Sequence, residues 1–139
     1  MTKKEISDVL REHGVSPTQQ RVAVYEYLLR HRTHPTADGM YRDLVEEYPT
    51  FSRTTVYNSA KVLANAGLIR VLTIDADEQR FDAGVEDHGH FRCTGCGTVF
   101  DIPVSEETIA TLNTGEFHAK TLDIYLTGTC PHCQQQKNL

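Results

Sequence analysis

The sequence predicts an α+β protein of two small domains, a winged helix-turn-helix followed by a mixed α/β unit. Three observations carry that expectation. The first half shows four helically spaced stretches and then two short β-rich runs. The second half holds two Cys-x-x-Cys pairs and a His-x-His among short β-prone runs. Charge separates the halves too. Residues 1–75 carry ten Lys+Arg against nine Asp+Glu, and residues 76–139 carry four against ten, within a total of −5.

In chain order, KKEISDVLREH places Ile6, Val9 and Leu10 on one helical face, and Gly14 stops that helix. Pro17-Thr18 opens the second, with Val22, Val24, Tyr25, Leu28 and Leu29 apolar, running to about His31. The third starts near Thr36, carries Met40, Tyr41, Leu44 and Val45, and ends by Pro49. Ser52 or Thr54 caps the fourth, TTVYNSAKVLANA, which Gly67 closes. LIRVLTID and QRFDAG then read as a hairpin across the polar Asp75–Glu78. In that order of elements, the helix after the turn enters the DNA major groove. A helical packing unit with no DNA role would share the pattern, but the fourth helix's composition tips the balance. Its outer face offers Arg53, Thr55, Tyr57, Asn58 and Lys61, and no acidic residue lies between 48 and 74.

We place the first domain at residues 1–76, a hinge at 77–86 and the second domain at 87–139. In the latter, HFRC, TVFDIP and TLDIYLTG are β-prone and flank a helical SEETIATLN. With 39% hydrophobic and 24% charged residues, the chain has an ordinary globular composition. No apolar run approaches the ~18 residues of a membrane span, and MTKKEISDVL lacks a signal-peptide core. The expected location is the cytoplasm, where thiols stay reduced and four cysteines point to a metal rather than disulfides.

Cys93-x-x-Cys96 and Cys130-x-x-Cys133 each lie in a Gly- or Pro-rich turn that lets both sulfurs face one centre. Four thiolates make the closed tetrahedral shell of a structural Zn²⁺. His88 and His90 alternate along a strand, so their rings share a face. Asp82 and Asp101 can supply oxygen ligands, and His34, just before Pro35, can reach across the hinge; spacing alone leaves these three open. His13, His31, His118 and His132 are expected as ordinary surface or core histidines.

Together, HPTAD at 34–38, TVYN at 55–58, RFD at 80–82, HGHFRC at 88–93 and the two Cys pairs resemble the ferric uptake regulator (Fur) family, from about residue 10 to residue 133. The resemblance implies a homodimeric, metal-dependent repressor that binds an inverted-repeat DNA operator. It implies an N-terminal winged helix-turn-helix domain plus a small C-terminal α/β dimerisation domain. It also implies a structural zinc on the four cysteines and a regulatory metal on His34, Asp82, His88, His90 and Asp101.

Within the family, two aspartate ligands resemble the peroxide-sensing (PerR) branch, where iron sensors more often have glutamates. The positions flanking the paired histidines are Asp87 and Gly89, which lack the extra ligands common in iron sensors, and Lys120 stands near another position where a histidine is frequent. Ser16 replaces a basic residue common in the family, which weakens any minor-groove contact expected there. A His/Asp site without thiolate suits Fe²⁺ or Mn²⁺ better than zinc. The resemblance implies repression by the Fe²⁺ form, oxidation of His34 or His88 by peroxide, and loss of metal and DNA. An iron-responsive repressor of the same fold is the first alternative. A zinc-dependent hydrolase is the second, and it lacks a glutamate base placed as in HExxH.

Overall fold

The computed structural model describes residues 1–84, 89–112, 115–119 and 121–137, so the expectations resting on Asp87, His88 and Lys120 lie outside the described residues. The chain separates into two compact units, Met1–Val85 and Glu86–Leu139.

The first unit holds helices α1 (Lys3–Glu12), α2 (Gln19–Arg30), α3 (Ala37–Leu44) and α4 (Arg53–Asn65). Each begins at a hydroxyl cap. Thr2, Thr18, Thr36 and Ser52 accept the backbone N–H of Glu5, Arg21, Gly39 and Thr55, satisfying a donor the first turn would otherwise leave open. Of the two caps considered for α4, Ser52 is the one used. The helices bury Ile6, Leu10, Val24, Leu28, Met40, Val56, Ala60 and Leu63 in one core with Phe81. Truncating a fully buried side chain such as Leu63 there costs roughly 2–5 kcal/mol. Because Val56, Ala60 and Leu63 turn inward at i, i+4 and i+7, the opposite face of α4 is left to the solvent.

A two-stranded antiparallel wing follows, β1 (Arg70–Leu72) on β2 (Arg80–Asp82), in register Arg70↔Asp82 and Leu72↔Arg80. Strand β2 also bridges to Thr36, ahead of α3.

The second unit is a three-stranded sheet in the order β4-β3-β5, from β3 (Gly89–Cys93), β4 (Val99–Ile102) and β5 (Ile124–Gly128). Strand β4 is antiparallel to β3 through a tight turn, whereas β5 is parallel to it. Parallel pairing needs a long crossover, and this one carries α5 (Glu106–Ala110), shorter than the helical SEETIATLN expected. A short helix α6 (Pro131–Lys137) was not anticipated: Cys133 was expected in a turn, yet Pro131 occupies a first helical position, where its missing N–H costs nothing.

Candidate metal centres and DNA-facing helix

The parallel register explains the cysteine centre. Cys93 pairs with Gly128, so β3 and β5 end side by side and the two Cys-x-x-Cys segments leave the sheet at one edge. The Thr94 N–H donates to the Gly128 carbonyl at 2.8 Å and stitches the two exits together. Gly97, at φ 75°, adopts the left-handed turn that returns the first pair to β4. A Cβ on Gly95 would stand 3.1 Å from Cys133 Sγ, so glycine lets the second pair close in.

One Sγ from each of the four cysteines lies within 4.8 Å of the others, and Cys96 and Cys130 are 3.9 Å apart. Zn–S bonds of ~2.3 Å in a tetrahedron put sulfurs about 3.8 Å apart, so the donor set fits zinc. N–H groups of Cys130 and Cys96 hold the Cys93 thiol down to about 6, while bonding to Cys93 and Cys130 pushes Cys133 up to about 12. A dication binding there would take the sulfurs as thiolates and displace their protons.

In the first unit, His34 and Asp82 are both buried, with Nε2 3.8 Å from Oδ2. His34 has φ 57°, an uncommon backbone for a residue with a side chain. The segment around it is zipped onto β2: Arg80 Nη1 donates to the His34 carbonyl at 3.1 Å, and the Phe81 N–H donates to the Pro35 carbonyl at 2.9 Å. Arg80 is also paired with Asp75. The Asp82 carboxylate is oriented by Arg32 Nε and the Gly84 N–H, 3.1 and 3.0 Å from Oδ1.

In the second unit, His90 and Asp101 face each other across the β3–β4 ladder, with Nε2 3.3 Å from Oδ1. Tyr125 on β5 flanks the His90 ring, 6.4 Å between centroids. His88 lies outside the described residues. Of the histidines expected to be ordinary, His13 Nδ1 bonds the Val9 carbonyl, His31 packs at a tilt against the Tyr27 ring and His132 meets Gln136.

On α4, Arg53, Tyr57 and Asn58 are exposed and Lys61 is half-buried beyond them. Arg53, Tyr57 and Lys61 recur every four residues and form one stripe, with Asn58 beside it. Thr55 points elsewhere: it bonds Ser52 and, with Asn58, Gln20 and Arg21, lines a cavity of about 230 Å³ between α2 and α4. Two of the stripe's side chains are tied to neighbours. Arg53 Nε lies 2.5 Å from Asp38 Oδ1, and the Tyr57 hydroxyl donates to Gln79 Oε1 at 3.5 Å.

The supporting residues Arg32, Asp38, Gln79 and Arg80 were not expected from the sequence. Asp38 and Arg80 stand in the HPTAD and RFD motifs, but the partners that give these four residues their roles lie up to 50 positions away. Among the described residues, no helix is long and apolar enough to cross a membrane.

The "Ferric uptake regulator family" model matches residues 12–127. The chain is 36% identical to the "Peroxide operon regulator" of Bacillus subtilis over 97% of its own length and 95% of that protein's. It is 34% identical to the "Peroxide-responsive repressor PerR" of Staphylococcus aureus, covering 91% of this chain and 88% of that one. Among solved structures it resembles one described as the basis for peroxide sensing and gene regulation by PerR from Streptococcus pyogenes. That match has 31% identity and a TM-score of 0.53, covering 95% of this chain and 92% of the other. With most of its length matched by the family model and by these relatives, the chain belongs to the ferric uptake regulator family.

Proposed function

We propose that this chain is a homodimeric, DNA-binding transcriptional repressor of the cytoplasm that senses peroxide. In this reading its structural Zn²⁺ is held by Cys93, Cys96, Cys130 and Cys133. Its regulatory Fe²⁺, for which Mn²⁺ is a less reactive substitute, is held by His34, Asp82, His88, His90 and Asp101. The observation that carries the reading is one His–Asp pair in each unit, His34 with Asp82 and His90 with Asp101. Imidazole and carboxylate without thiolate match divalent iron or manganese. Metal binding would shift the dimer's population toward its DNA-competent state. Such a protein regulates transcription and has no substrate to turn over.

When bound, Fe²⁺ would supply the one-electron chemistry that activates peroxide, which Mn²⁺ would supply poorly. The protein's part is to hold His34 and His88 beside the oxidant. Overall, a ring C–H and H₂O₂ would give a ring C–OH and water, a two-electron oxidation of the imidazole by peroxide in which iron would end as it began, and the oxidised histidine would lose its value as a ligand. On the DNA side, Arg53, Tyr57, Asn58 and Lys61 form the face that would enter the major groove, with Thr55 supporting its first turn. For the dimer, Phe91 pairs with Phe100 on one side and Leu126 on the other, an apolar row whose two ends are exposed. A second copy of the chain would bury that row.

The experiment is operator binding by the Fe²⁺ and Mn²⁺ forms before and after a peroxide pulse. Both forms should bind at first, and only the Fe²⁺ form should let go. Retention by both, with binding lost on iron chelation alone, would favour the iron-responsive alternative.

A further inference from the structure

Arg53 is the first residue of α4, and residues at the start of a recognition helix reach base edges. Its side chain is held from α3 on two sides. Nε meets Asp38 Oδ1 at 2.5 Å, and Cζ lies 4.8 Å from the centroid of the Tyr41 ring. The other oxygen of Asp38 faces Arg42 Nε at 3.7 Å, so one carboxylate is shared by two arginines. Exposed ion pairs of this kind contribute little to stability. Their effect is on freedom: a long side chain is confined to one orientation.

That orientation has a chemical consequence. With Nε committed to Asp38, the terminal Nη1 and Nη2 remain as a parallel pair of donors. That pair matches the O6 and N7 acceptors of guanine, the commonest specific contact of an arginine in the major groove. A phosphate-neutralising arginine would do better with its charge uncompensated, and Asp38 offsets that charge. The carboxylate also repels the DNA backbone, which penalises binding that lacks the base contact.

We propose that Asp38 is a positioning residue for sequence recognition: with Tyr41 it fixes Arg53 to read a guanine in each operator half-site. The inference rests on α4 being the helix that enters the groove.

The test uses the full chain, zinc-replete and loaded with Mn²⁺, to enrich sites from a randomised duplex library. Wild type should enrich a guanine at one position of each half-site. Arg53→Ala and Asp38→Ala should both lose preference at that position alone, and Asp38→Glu should restore it. Replacing that guanine by 7-deazaguanine should weaken wild type about 10-fold, the scale of one good base contact, and leave Asp38→Ala nearly unmoved. Asp38→Ala should also bind scrambled duplex more tightly than wild type, which a merely misfolded variant would not. Undiminished guanine enrichment by Asp38→Ala overturns the proposal. So does an Arg53→Ala that weakens all sequences equally while its salt slope falls by about one phosphate. If wild type enriches no sequence at all, the DNA-binding role of α4 itself fails.

Discussion

Arg32 and Asp82, 50 positions apart in the chain, are joined by a 3.1 Å bond from Nε to Oδ1. The Gly84 N–H holds the same oxygen at 3.0 Å, while Oδ2 lies on the His34 side. A candidate metal ligand thus has a guanidinium attached to its back. Two effects compete: the cation orients the carboxylate, and its charge opposes a second cation. Burial and Gly84 already orient Asp82, so the charge should dominate. At a half-exposed position that repulsion is worth about 1 kcal/mol. Arg32→Ala should therefore tighten Mn²⁺ binding several-fold, and Arg32→Lys should not, as read by paramagnetic resonance of free Mn²⁺ during a titration. Weaker binding by Arg32→Ala would show that orientation matters more.

Removing one cysteine should cost the second unit its fold. Apparent binding energies of about 10–16 kcal/mol for such zinc sites are folding energy, and Cys133→Ser or Cys96→Ser opens the tetrahedron. Zinc content below that of wild type, with loss of the dimer on a sizing column, is the expected result. A stable dimer retaining full zinc would remove the four-sulfur assignment.

Tyr57→Ala should weaken specific DNA binding by roughly 1–3 kcal/mol with the fold intact, the usual size of one base contact. Its ring is exposed and its hydroxyl is steadied by Gln79, so little core packing is at stake. Lys61→Ala should chiefly flatten the salt dependence, by about one phosphate. Titrations at several salt concentrations distinguish the two behaviours.

Peroxide should leave its mark on the ligands. A brief pulse on the Fe²⁺ form should yield a peptide containing His34 or His88 heavier by one oxygen atom, absent from the Mn²⁺ form. Asp101→Glu, a longer arm at the same charge, should keep metal-dependent DNA binding and blunt that oxidation. Peptide mass spectrometry of both metal forms and the variant checks it. Unmodified histidines in an Fe²⁺ protein that still binds DNA would count against peroxide sensing.

How much could be read in advance depends on distance along the chain. The helices were legible because Ile6, Leu10, Val56 and Leu63 repeat at helical spacing and hydroxyl caps precede each start. The cysteine pairs were legible because each closes within four residues. His90 opposite Asp101 follows from a short antiparallel turn, yet nothing local says which carboxylate faces which ring. Arg53 with Asp38, and Arg80 with the His34 carbonyl, come from tertiary packing that brings α3 beside α4 and β2 beside the His34 segment. The extra turn of helix after Pro131 went unforeseen because PHCQQQK is too short to show a period.

The parallel pairing of β3 with β5 has a consequence for how the second unit forms. Gly89 meets Ile124 and Cys93 meets Gly128, so the sheet closes over a 35-residue excursion of chain. Such closures are entropically slow and are rewarded only once complete. The four sulfurs stand where that loop is tied off, so zinc capture should act as the latch of the folding reaction. The same β3 carries His90, so a site built on His90 shares the strand that the cysteine centre ties down. Loading should therefore be ordered, zinc before the regulatory metal, and apoprotein refolded without zinc should fail to take up Mn²⁺.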